Sequence, residues 1–197
     1  MARLDMEPLC EAFEAPVPSP AGGSAAAAAA AIAASLVVMA GRGSPDWPEG
    51  AVAAEAAAVL RERLLVLGGE DVEAVAAVIA GSRARARTGD GEDAFAQALV
   101  RAADVPLEIA GCAADVAELA VRAGQSCRRP LRAEAAAAAA LAAAAAQIAS
   151  SIVTGNLAAF PPGHPGEEIA RLREEAHLAS VRAGTVAGPV GASSGGA

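Results

Sequence analysis

Between residues 49 and 80 the chain places an aliphatic side chain every three or four positions. Leu60, Leu64, Leu67, Val75 and Val78 share one helical face, and Asp71 falls on that face with them. The spacing predicts a helix from about Glu49 to Ala80. A carboxylate among hydrocarbons must be paired or hydrogen-bonded, and a titratable group held away from water suits proton transfer. Asp71 is therefore the candidate catalytic residue. The alternative is that it caps or interrupts the helix at Gly68-Gly69 and meets water at a crevice. Each glycine there costs about 1 kcal/mol against alanine, which also predicts a kink or break.

The same reading predicts a short amphipathic helix over residues 3–14. A second runs from an N-cap at Ser24 to about Ala40, with Ile32, Leu36 and Met39 on one face. After the central helix, Ser82 to Glu92 reads as a polar loop and residues 92–103 as a short helix. Pro106 then opens a helix to about Ala123. A run of alanines from Leu131 to Thr154 forms the next helix, with Gly155-Asn156 as its C-cap. Residues 161–182 carry a further amphipathic helix, and 183–197 read as a disordered tail. The fold class is all-α: an antiparallel bundle of alanine-rich, closely packed long helices spanning residues 1–160, with the C-terminal helix packed on it.

Composition sharpens this picture. Hydrophobic residues make up 54% and aromatics 2%, and there is no tyrosine. An alanine-rich core brings backbones close, because little side chain holds them apart, and alanine is the best helix former. The net charge of −8 leaves no basic face for a nucleic acid. Cys10, Cys112 and Cys127 are odd in number and unevenly spaced, suggesting neither a disulfide framework nor a zinc site. Cys127 does stand beside Arg128 and Arg129, the setting of an activated thiol. His164 and His177 have no partner elsewhere to complete a metal site. The N-terminus is acidic and lacks a signal-peptide order. The charge-free run Ala25–Ala40 is shorter than a membrane span and weakly apolar. A cytoplasmic protein without membrane contact is the expectation.

Three segments, in order, carry a resemblance. Pro20-Ala21-Gly22-Gly23-Ser24 leads into an alanine-rich helix; Glu70-Asp71-Val72-Glu73-Ala74 lies on the central helix; Ala103-Asp104-Val105-Pro106-Leu107-Glu108 starts a later one. Together they resemble the cyclodeaminase/cyclohydrolase family, which includes the C-terminal part of formiminotransferase-cyclodeaminase and the methenyltetrahydrofolate cyclohydrolases. The likeness spans roughly Ala15 to Leu157. It implies an all-helical homodimer with a cleft for a tetrahydrofolate derivative, methenyl- or methylene-tetrahydrofolate. It also implies that Asp71 does acid–base work at the carbon bridging N5 and N10. Gly22, Gly23 and Ser24 match the family's glycine-rich turn, whose N–H groups suit a ligand carbonyl or anion.

The chain also departs from the family. Arg128-Arg129-Pro130-Leu131 stands where relatives carry a Ser-Asp pair, and Ile148 and Ile152 stand where they carry asparagines, with Gln147 and Ser151 next door. A lysine after the central helix is replaced within Gly81-Ser82-Arg83-Ala84-Arg85. Gln147 is a candidate polar contact to the ligand, and Arg83 a candidate partner for a folate carboxylate. Three functional readings follow. The first is a folate-dependent cyclohydrolase or cyclodeaminase. The second is a repurposed relative that uses methylene-tetrahydrofolate in a Mannich-type condensation or cyclisation. The third is a non-catalytic helical dimer that keeps only the fold.

Overall fold

A computed structural model describes residues 6–16, 20–88, 92–160 and 166–186. Among these are six α-helices: α1 (Glu7–Glu14), α2 (Gly22–Arg42), α3 (Gly50–Thr88), α4 (Glu92–Ser126), α5 (Arg132–Leu157) and α6 (Gly166–Val186), with a 3-10 turn at Arg129–Leu131 before α5. No strand occurs among the described residues. α2 lies against α3, α4 and α5; α4 packs on α3 and α5; α6 rests on both α4 and α5. α1 buries no residue.

The core is mostly alanine. Ala26, Ala30, Ala33, Ala113, Ala117, Ala138 and Ala142 are fully buried, with Val37, Leu64 and Leu67 among the few larger side chains. So little side chain leaves no slack where helices turn back. A Cβ on Gly41 would sit 2.3 Å from the carbonyl oxygen of Gly50, so the α2–α3 turn tolerates only glycine there. α2 and α5 are long and apolar enough to cross a bilayer by length and composition; here their apolar faces form the core.

Several boundaries differ from the sequence expectation, each for a local reason. α2 begins at Gly22 with Ala21 at the N-cap, so Ser24 lies inside the first turn and caps nothing in its own helix. α3 does not break at Gly68-Gly69 and continues past Ala80 to Thr88. Arginine and alanine are both good helix formers. The extension is braced by α4, because the Arg85 guanidinium lies 5.5 Å over the Phe95 ring and 3.6 Å from Glu92. Pro106 opens no helix: residues 92–126 form one helix with Pro106 inside it.

A proline there removes the donor that the carbonyl four residues earlier would receive. That carbonyl is Ala102, and Asn156 Nδ2 of α5 donates to it instead. Asn156 thus fills a gap in α4 from within the last turn of α5. The C-terminal helix also outlasts its expected end, since α6 continues through Val186 and Ala183 is fully buried. Residues 3–5, His164 and positions 187–197 lie outside the described residues.

Candidate functional site

Asp71 is held at the start of α2. The first turn of a helix leaves N–H groups without partners, and Ala21 has no side chain to cap them. Asp71 reaches across from α3 and supplies the missing acceptor. The Ser24 N–H and the Ser24 hydroxyl both lie 2.9 Å from Asp71 Oδ2. The carboxylate is 5% exposed. Its negative charge is stabilised by these donors and by the positive end of the α2 dipole. Such an approach requires glycine: a Cβ on Gly23 would fall 2.1 Å from Asp71 Oδ1.

The Ser24 hydroxyl also lies 2.9 Å from the carbonyl oxygen of Gly68. A hydroxyl has one proton and can donate to only one of the two oxygens at a time. With Asp71 ionised, Ser24 donates to Oδ2. With Asp71 protonated, Oδ2 can donate to Ser24 Oγ, whose own proton turns to Gly68. Neither arrangement strands a buried donor. Both Ser24 donors are therefore engaged with neighbouring protein oxygens.

The other candidate residues fall in different places. Gly22 is exposed, and a Cβ on it would meet Ile152 of α5 at 3.1 Å, so the α2 start abuts the C-terminal half of α5. Gln147, also on α5, lines a cavity between α5 and α6 of about 560 Å³. Arg83 is exposed and stands twelve residues beyond Asp71 on α3, roughly 18 Å along the helix. The structure brings Asp71, Gly23 and Ser24 together with Gly22 beside them. It sets Gln147 in the neighbouring cavity and leaves Arg83 apart.

Two other cavities lie along α3 and α4, and Asp71 lines none of the three. One of about 370 Å³ adjoins Trp47, Leu119 and Arg122. The larger, about 600 Å³, includes Arg63, Glu70, Arg101 and Glu108. Its charges answer one another: Arg63 pairs with Glu108 through two contacts of 2.6 and 2.7 Å and with Glu70 at 2.9 Å, and Arg101 lies 3.5 Å from Glu70. Hydrogen bonding to Arg63 holds the Glu108 carboxyl below its usual range. Neither Cys112 nor Cys127 offers an activated nucleophile, since burial pushes the Cys112 thiol up to about 11 and raises Cys127 despite its arginine neighbours. Among the described residues no group of three His, Cys, Asp or Glu side chains is placed to hold a metal ion.

Sequence reasoning missed Arg173 and His177, which face Gln147 across the α5–α6 cavity. Their spacing on an amphipathic helix was the available signal, and it is equally that of a solvated face.

The sequence model of the formiminotransferase-cyclodeaminase family matches residues 5–161. No curated protein matches the chain. The fold is similar to the crystal structure of formiminotetrahydrofolate cyclodeaminase from Thermotoga maritima, with a TM-score of 0.77 and 22% identity over 93% of this chain and 96% of that one. At that identity the likeness is one of fold.

Proposed function

As this chain belongs to the formiminotransferase-cyclodeaminase family, we propose that it is a folate-dependent one-carbon enzyme of cyclodeaminase or cyclohydrolase type, with Asp71 as its acid–base group. The substrate is a reduced folate carrying a one-carbon unit at N5, at N10 or bridging the two. Reaction at that carbon requires a proton to leave one nitrogen or a water and to reach another atom, which one carboxyl alternating between its two states can accomplish. The observation that carries this reading is the placing of one serine hydroxyl between Asp71 Oδ2 and Gly68 O, 2.9 Å from each. Gly22, exposed at the start of α2, its buried neighbour Gly23, and Gln147 are the proposed contacts of the folate. Ser24 positions the carboxyl, and Arg83 stands roughly 18 Å away along α3.

The protein acts as a homodimer in this reading. Ile32 and Met39 on α2 and Leu141 and Ile148 on α5 are 37–46% exposed on adjacent helices, an apolar surface suited to a second copy.

The test is turnover of 5-formimino- and 5,10-methenyl-tetrahydrofolate by the wild type and by Asp71→Asn, with folding followed by circular dichroism. The substitution should preserve the helical spectrum and lower turnover by about 10²–10⁴-fold. Unchanged turnover would remove Asp71 from the mechanism, and failure of the wild type to bind any reduced folate would remove the function. Sedimentation of the same preparation as a monomer would remove the dimer.

A further inference from the structure

The α5–α6 groove has a chemistry that the Asp71 site does not use. Gln147, Ser151 and Thr154 line it from α5, and Arg173, His177 and Ser180 from α6. Both sets step by four and then three residues, so two polar stripes of equal spacing face each other over about 10 Å of helix. The groove's floor is fixed: the buried Ser150 hydroxyl donates across to the Ala176 carbonyl at 2.7 Å, holding α6 against α5. The Ser151 and Thr154 hydroxyls donate back to carbonyls of their own helix, Gln147 and Ser150. The guanidinium of Arg173, the imidazole of His177 and the Gln147 amide are left as donors into the cavity.

The described arginines fall into those that meet a carboxylate and those, such as Arg42, Arg122 and Arg173, that do not; Arg173 is the one that lines this groove. Arg63, Arg101, Arg171 and Arg182 each meet a carboxylate. Among the described residues Arg173 meets none, although Glu174 is adjacent and also lines the groove. A guanidinium left unpaired in a walled groove, with an imidazole one turn away, is suited to a carboxylate ligand. The groove also begins near the acid–base site, for Ser151 precedes Ile152, whose side chain lies against Gly22. α6, which brings both Arg173 and His177, lies beyond residues 5–161, where the family match ends.

We propose that the α5–α6 groove is a carboxylate-binding subsite, with Arg173 as its cation and His177 as a second hydrogen-bond donor, that holds the γ-glutamyl tail of the folate while the one-carbon end lies at Asp71. The identification of the tail rests on the function proposed above; the carboxylate chemistry of the groove does not.

Binding by calorimetry separates the two. The ligands are 5-formyltetrahydrofolate carrying one or three glutamates, the same compound lacking glutamate (5-formyltetrahydropteroate), and a free tri-γ-glutamate peptide. The proteins are the wild type, Arg173→Gln and His177→Gln, both changes being at exposed positions. The wild type should bind the glutamylated folates about ten- to a hundredfold more tightly than the pteroate, the range of one or two charged hydrogen bonds. Arg173→Gln should erase most of that difference, and His177→Gln part of it, with the pteroate bound as before. Equal affinities for glutamylated and unglutamylated forms, or a difference that survives Arg173→Gln, would overturn the subsite. If no folate binds but the peptide does, and Arg173→Gln abolishes it, the groove stands as a carboxylate site and the folate reading falls. If neither binds, both fall.

Discussion

The start of α2 and the groove between α5 and α6 both set polar groups into an alanine bundle, and they do so in opposite ways. At α2 the Asp71 carboxylate is 5% exposed, and one neighbouring residue supplies both of its donors. At the groove Arg173 and His177 project from an exposed helical face, and among the described residues only Ser150 beneath them is hydrogen-bonded across the α5–α6 interface. The first arrangement is dictated by the fold, since a buried polar group must be answered from within the protein. At the second a guanidinium lines the groove without a carboxylate partner among the described residues. A polar site is therefore read as much from what remains unanswered as from what is bonded.

The contrast breaks most sharply at Gly23. If the carboxylate lies where it is described, Gly23→Ala drives a methyl to 2.1 Å from Asp71 Oδ1, and either the α2 start or the carboxyl must move. Overpacking of this kind costs about 3 kcal/mol, or roughly 6–12 °C in Tm for a domain of this size. A thermal melt of Gly23→Ala that coincides with the wild type would show the node to be loose rather than closed.

A smaller effect tests the groove's floor against its walls. Ser150→Ala removes the bond to the Ala176 carbonyl and should cost about 1 kcal/mol. Ser151→Ala loses only a bond within its own helix at an exposed position and should stay within about 0.5 kcal/mol. Urea titration of the two variants measures both. Equal losses would mean that the groove's wall is structural too, which would weaken its claim to a ligand.

How much of this could be read in the sequence follows from the same contrast. Asp71 was legible because it interrupts an aliphatic stripe, and its burial follows from the positions around it. Its partner Ser24 was legible only as a cap for its own helix; that it serves a carboxylate 47 residues away is a property of the α2–α3 crossing. The helical class was legible from alanine content and spacing. The length of α4 was not, because Pro106 reads as a helix start until Asn156 is seen donating to the freed Ala102 carbonyl. The arginine-rich end of α3 likewise read as a loop, since Phe95, which braces it, lies on another helix. Arg173 and His177 were least legible of all. Polar residues at i and i+4 on an amphipathic helix have the same pattern whether they face water or a second polar stripe.

Between the closed node and the open groove stands the α3–α4 seam, where charges are paired but still wet, and it supplies the smallest effect. Arg63 and Glu108 are 37% and 48% exposed, so solvent screens them and the pair is worth about 0.5 kcal/mol. The folded Glu108 carboxyl titrates below its ordinary value of 4.5 because it accepts from Arg63. A carboxyl depressed in the folded state stabilises above the unfolded value and loses that contribution as pH falls through the folded one. Glu108→Gln should therefore lie slightly below the wild type in stability from pH 6 to 8. The two should converge as the pH falls below 4.5 and through the lower folded value, and 1 M salt should narrow the gap at neutral pH. Stability measured by urea unfolding across that range decides the matter. A gap much larger than about 1 kcal/mol, or one that widens in acid, would mean that the seam is as dry and committed as the Asp71 node. The distinction between answered and unanswered charge would then have to be redrawn around burial alone.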